Sequence, residues 1–165
     1  MPRSRKTFSN WHPTMLVATW FGCGLSRFAP GTCGSLVAMP FAWALLTIGG
    51  AFWLLIASAI LFLLGWWVSA VLVRTTDQKD PQFIVVDEVV GQWIALSVVP
   101  LNVIWFALAF ILFRVADIFK VWPANWIDKM LPGGLGVMAD DVVAGFYAAV
   151  VILCIRGGIL LNLVY

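Results

Sequence analysis

Between Leu36 and Val73 the chain carries no ionisable side chain. A stretch that long exceeds the roughly 20 apolar residues a helix needs to cross the hydrocarbon core of a bilayer. It divides into two apolar runs, 35–48 and 51–73, and further runs follow at 83–99, 103–119 and 142–165. Only 11% of the residues are charged and 62% are hydrophobic, whereas a soluble domain carries about 25% charged residues. A chain of 165 residues exposes too much surface to hide that apolar load from water. We therefore expect an all-α, polytopic membrane helical bundle forming one domain over residues 1–165. Residues 1–20, with the basic start MPRSRKTFSN, would be a short cytosolic or interfacial amino-terminal segment.

The number of crossings turns on Pro100-Leu101-Asn102. If these residues form a turn, runs three and four make a short hairpin and there are about five membrane segments; if not, there are four. With five, residues 1–34, 74–82 and 114–141 share a side that holds nine of the ten basic residues, Arg156 being the exception. Positive residues favour cytoplasmic loops, and all eight acids fall on that face or just below it. The four-segment alternative splits the charge and leaves a highly polar external loop, so five segments are expected.

Three helix starts are expected near that face: Asp80-Pro81, an N-cap followed by proline, Asp140-Asp141 ahead of an apolar run, and Gly34-Ser35. The stretches DEVVG (87–91) and DDVVAG (140–145) echo one another, with paired acids followed about one turn on by a glycine that permits close helix approach.

Acids at the edge of hydrocarbon are unfavourable unless paired or bound to a cation. Asp87, Glu88, Asp117, Asp140 and Asp141 converge on one face, and adjacent ionised carboxylates invite a metal or a basic partner. In FRVADIFK, the residues Arg114, Asp117 and Lys120 at i, i+3 and i+6 would offer cation, acid and cation on one helical sector. The glycine-rich FGCGLSRFAPGTCGSL (21–36) runs into a helix start, where backbone N–H groups can cradle an anion. The single histidine, His12, lies far from these acids in sequence, and the three cysteines have no CxxC spacing. Oxygen donors alone favour a hard cation such as Mg²⁺. No basic tract interleaved with aromatics is present, so no nucleic-acid partner is expected.

Four segments, FGCGLSRFAPGTCGSL, DPQFIVVDEVVGQWIAL, FRVADIFKVWP and GGLGVMADDVVAG, together resemble the phosphatidylglycerophosphatase A family of bacterial membrane enzymes, in the family's order and over residues 21–145. The resemblance implies Mg²⁺-dependent hydrolysis of phosphatidylglycerophosphate to phosphatidylglycerol and phosphate at the cytosolic face of the inner membrane. Carried over by position, the metal and catalytic carboxylates fall on Asp87, Glu88, Asp117, Asp140 and Asp141. Lys120 would serve catalysis, and Arg114 and Lys120 would hold phosphate. The PGTxGS turn falls on Pro30, Gly31, Thr32, Gly34 and Ser35, expected to bind phosphate through its backbone. Arg27 and Val121 stand where the family often has proline. A small divalent-cation carrier and a CDP-alcohol-type lipid transferase are the alternatives, although the DGxxAR…GxxxDxxxD pattern of the latter is absent.

Overall fold

A computed structural model describes residues 9, 11–76, 78, 81–120, 122, 126, 130–131 and 133–164, with side chains up to residue 159. Among these residues the regular structure is all helical: α1 (Pro13–Ala18), a 3-10 turn (Cys23–Leu25), α2 (Pro30–Thr76), α3 (Val86–Leu96), α4 (Val103–Phe119) and α5 (Gly134–Val164). Two helices, α2 and residues Gly134–Ile159 of α5, are long and apolar enough to cross a membrane. Much of the outward surface of α2 is apolar, with Phe52, Leu63 and Trp67 exposed.

The 47-residue α2 is two helices joined at Gly50, whose φ of 67° and ψ of −165° lie outside helical values. Only glycine takes that conformation without strain. Contacts with α3 show what the break does. Along the first half, Gly34 meets Val85 and the carbonyl of Ala38 accepts from Trp93 Nε1 at 2.9 Å, so this half runs with α3. Along the second half, Ser58 Oγ donates to the carbonyl of Val90 and Gly65 meets Val86, so that half runs against it. The two apolar runs of the sequence are thus the arms of a helical hairpin.

The break expected at Pro100–Asn102 is present, since α3 ends at Leu96 and α4 starts at Val103. Asn102 caps α4, its Oδ1 accepting from the N–H groups of Ile104 and Trp105 at 2.9 and 3.4 Å. Helix α3 has 11 residues, about 16 Å of rise, shorter than the run 83–99 promised. At the end far from the acids, Arg156 of α5 donates to the carbonyl of Val98, satisfying a backbone group beyond the last turn of α3.

Three helix starts differ from expectation. Helix α2 begins at Pro30, because proline suits the first helical position, and not at Gly34-Ser35. Helix α5 begins at Gly134, after Gly133 at φ 73°, which puts Asp140-Asp141 nearly two turns inside it. Pro81 lies in a turn ahead of α3, its carbonyl accepting from the N–H of Ile84 at 2.9 Å; Asp80 lies outside the described residues.

The amino-terminal segment splits in character. Arg3, Arg5 and Lys6 lie outside the described residues, whereas α1 is packed into the bundle. His12 caps α1, with Nδ1 accepting from Thr14 N at 3.3 Å. Met15, Ala18 and Trp20 are buried, and the carbonyl of Ala18 accepts from Val85 N at 2.8 Å. This bond ties the amino-terminal segment to the residue just before α3.

Candidate active site

Helix direction gathers the acids. The amino-terminal turns of α2, α3 and α5 and the carboxy-terminal turn of α4 meet at one end of the bundle. There a cavity of about 280 Å³ is lined by Pro30, Gly31, Asp87, Glu88, Asp117, Lys120, Asp140 and Asp141, together with Gln82, Ile84 and Val137.

The seam between α3 and α5 sets the deepest part of this cavity. A Cβ on Gly91 would overlap the backbone carbonyl of Asp141, and one on Gly145 would overlap the backbone of Gly91. The two glycines of the sequence echo therefore face each other, and the helices touch backbone to backbone, as small residues allow. One turn back on each helix stand Asp87 and Asp141, both buried. The echo extends to hydrogen bonding: Asp87 Oδ1 accepts from Glu88 N at 3.0 Å, and Asp140 Oδ1 accepts from Asp141 N at 3.1 Å.

Asp87, Glu88 and Asp141 each bring a carboxylate oxygen to within 4.8 Å of the others. Glu88 Oε2 is buried without a hydrogen-bond partner among the described residues. Three carboxylates at that spacing repel one another strongly away from water, and a cation is what removes the repulsion. The set offers oxygen only, the kind of donor that Mg²⁺ takes, and the orphaned Glu88 oxygen leaves a donor position open, so the residues present fit such an ion. Asp87 and Glu88 also occupy the first turn of α3, where the helix dipole favours negative charge.

The other two acids are engaged differently. Asp117 Oδ2 lies 2.8 Å from Arg114 Nη1, and Asp140 Oδ2 lies 2.7 Å from Lys120 Nζ. Lys120 is not on the helix that carries Arg114 and Asp117: α4 ends at Phe119, and Lys120 caps it in the left-handed region at φ 42°. The uniform helical sector expected at i, i+3 and i+6 is thus broken at its last member. Its side chain crosses to α5 and closes one wall of the cavity.

The PGTxGS stretch is helix and not a turn, which removes most of the expected backbone cradle. Cys33 N already donates to the carbonyl of Ala29 at 3.1 Å, leaving the amides of Gly31 and Thr32 at the open end of α2. Gly31 lines the cavity and lies so close to Glu88 that a Cβ there would overlap Glu88 Oε1. Thr32, Gly34, Ser35 and Arg114 are not among the lining residues. Buried Ser35 donates from Oγ to the carbonyl of Gly31 at 2.9 Å and accepts from Arg114 Nη1 at 3.5 Å, so it holds Arg114 against α2. Gln82, Ile84 and Val137 line the cavity without any signal in the sequence. Gln82 and Ile84 lie on irregular chain, where no helical period marks which side chains face inward.

Apolar helices carrying three close carboxylates, Asp87 and Asp141 buried and Glu88 half-buried, beside two acid–cation pairs at the same end define, among the described residues, an all-helical protein with a polar cavity at the bundle's mouth. The chain belongs to the phosphatidylglycerophosphatase A family, whose sequence profile matches residues 16–156. Membership makes it a phosphatase. It is 41% identical over 153 residues to the phosphatidylglycerophosphatase A of Escherichia coli (strain K12), covering 89% of this chain and 84% of the relative. The protein of the same name from Haemophilus influenzae is 40% identical over 152 residues, with 92% and 93% covered. A protein of Bacteroides thetaiotaomicron named putative phosphatidylinositol-3-phosphatase is 39% identical over 149 residues, with 86% and 92% covered. No solved structure matches.

Proposed function

We propose that this protein hydrolyses phosphatidylglycerophosphate to phosphatidylglycerol and inorganic phosphate with Mg²⁺ as cofactor. The observation that carries the reading is the trio Asp87, Glu88 and Asp141, with oxygens within 4.8 Å of one another, in a cavity that also holds Lys120. Family membership favours hydrolysis over the carrier and transferase alternatives. The chain would act as one membrane domain of five segments: the two arms of α2, the hairpin of α3 and α4, and α5. The distribution of basic residues favours a site on the cytosolic side of a bacterial inner membrane.

Asp87, Glu88 and Asp141 would hold the Mg²⁺. When bound, the ion supplies positive charge to the phosphate and Lewis acidity at the reacting phosphorus. Lys120 faces the same cavity and stabilises negative charge as the P–O bond to glycerol lengthens. Asp140 fixes the position of Lys120, while Asp117 is held by Arg114, which is itself held by Ser35. The amide of Gly31, at the open start of α2 and on the cavity wall, would donate to phosphate oxygens. In the overall reaction a water oxygen bonds to phosphorus, the glycerol oxygen leaves, and a proton passes from the water to that oxygen. A cavity carboxylate takes the proton in transit. The acyl chains stay among the apolar helices and lipid, and only the headgroup enters.

The test is phosphate release from phosphatidylglycerophosphate by detergent-purified protein, with Mg²⁺ and with excess chelator. Release that needs the ion and disappears in Asp87→Ala is expected. Unchanged release with chelator removes the cofactor assignment, and near-normal turnover by Asp87→Ala removes that residue from the site.

A further inference from the structure

A second cavity, of about 580 Å³, adjoins the carboxylate cavity. Pro30 and Gln82 line both and form the wall they share. Among their described lining residues the two differ in the sign of their charge. The first is lined by five carboxylates and Lys120. The second is lined by Gly24, Ser26, Arg27, Pro30, Gln82 and Phe83 among others, with no carboxylate among its described lining residues and Arg27 as their cation.

The loop that presents Arg27 is held in place. Gly24 lies so close to the carbonyl of Phe83 that a Cβ would overlap it. Ser26 Oγ accepts from Phe28 N at 3.3 Å and donates to the carbonyl of Phe28 at 2.9 Å. Arg27 itself is exposed, with no ion pair to a described carboxylate, so its guanidinium is available to an incoming anion.

The substrate proposed above carries two phosphates on one glycerol: a terminal monoester, which reacts, and an internal diester, which does not. While the monoester is in the carboxylate cavity, the diester lies a few bonds away and retains a full negative charge. Acid-lined walls repel it, whereas a planar guanidinium can take two of its oxygens at once. We infer that the Arg27 cavity is a subsite for the phosphodiester of a doubly phosphorylated headgroup, and that Arg27 sets the preference for such lipids over those with a lone phosphomonoester. This inference rests on the proposed hydrolysis and extends it to how the substrate is chosen.

The experiment compares wild type with Arg27→Ala and Arg27→Gln in mixed micelles. Two lipids with matched acyl chains are supplied, phosphatidylglycerophosphate and phosphatidic acid, the latter as substrate or as competing inhibitor. Loss of one charge-assisted contact should lower the preference for the doubly phosphorylated lipid about tenfold, through KM and not kcat. Phosphatidylglycerol, which keeps the diester and lacks the monoester, should inhibit wild type more strongly than either variant. A preference ratio unchanged in both variants overturns the subsite, as does an equal loss of affinity for both lipids, which would make Arg27 a general anchor to anionic surfaces. Wild-type protein that releases no phosphate from either lipid overturns the hydrolytic reading and the subsite with it. Active wild type with an unchanged ratio overturns the subsite alone.

Discussion

The five acids at the mouth of the bundle fall into two sets that differ in what surrounds them. Asp87, Glu88 and Asp141 lie on the α3–α5 seam, face one another and have no lysine or arginine ion pair among the described residues. Asp117 and Asp140 stand toward α4, each against a cation at 2.7–2.8 Å. Paired acids have already met their charge requirement within the chain. The trio has not, and that difference separates acids suited to holding an ion from acids suited to holding a side chain.

Substitution should split the two sets. Asp87→Asn and Asp141→Asn are expected to lower phosphate release on the order of a thousandfold and to remove Mg²⁺ binding measured by calorimetry. The comparison breaks if either variant still binds the ion as wild type does. Next in size, Gly91→Ala and Gly145→Ala force a methyl into a backbone contact. These should reduce stability by about 1–3 kcal/mol, seen as a lower melting temperature in detergent, and reduce turnover with it. Asp140→Asn loosens Lys120 without touching the trio, so turnover should fall about 10–100-fold while ion binding persists. If ion binding falls instead, Asp140 belongs with the trio. The smallest effect is expected at the opposite end, where Arg156→Ala removes the bond to the carbonyl of Val98. A stability loss of about 1 kcal/mol with turnover within about twofold would show that the far end carries fold and not chemistry.

The parts of this arrangement that sequence revealed were those written as interruptions or repetitions. The break between runs 35–48 and 51–73 became the Gly50 hairpin, and Pro100–Asn102 became the connection between α3 and α4. The DEVVG and DDVVAG echo became a seam in which Gly91 meets Gly145. Boundaries inside continuous polar or glycine-rich stretches were less legible. PGTCGS reads equally as a turn or as a helix opening on proline, and tertiary packing of Gly31 on Glu88 and Gly34 on Val85 selects the helix. GGLGVMADD hides its start because its paired glycines carry no side-chain cap, and what marks Gly134 is a contact distant in sequence, its close packing on the backbone of Trp66 and Ala70. The left-handed cap at Lys120 left no mark in FRVADIFK, whose spacing continues the helical pattern past the point where the helix stops.

Because Gly91 and Gly145 leave nothing between their helices, the gap across which Asp87 and Asp141 face each other is gauged by main-chain atoms. Main chain in contact has no rotamers with which to widen or narrow. The cavity therefore has a fixed calibre on its α3–α5 side, and adjustment to a ligand of different size falls to the other walls, where Gln82 is exposed and Lys120 reaches across on a flexible stem.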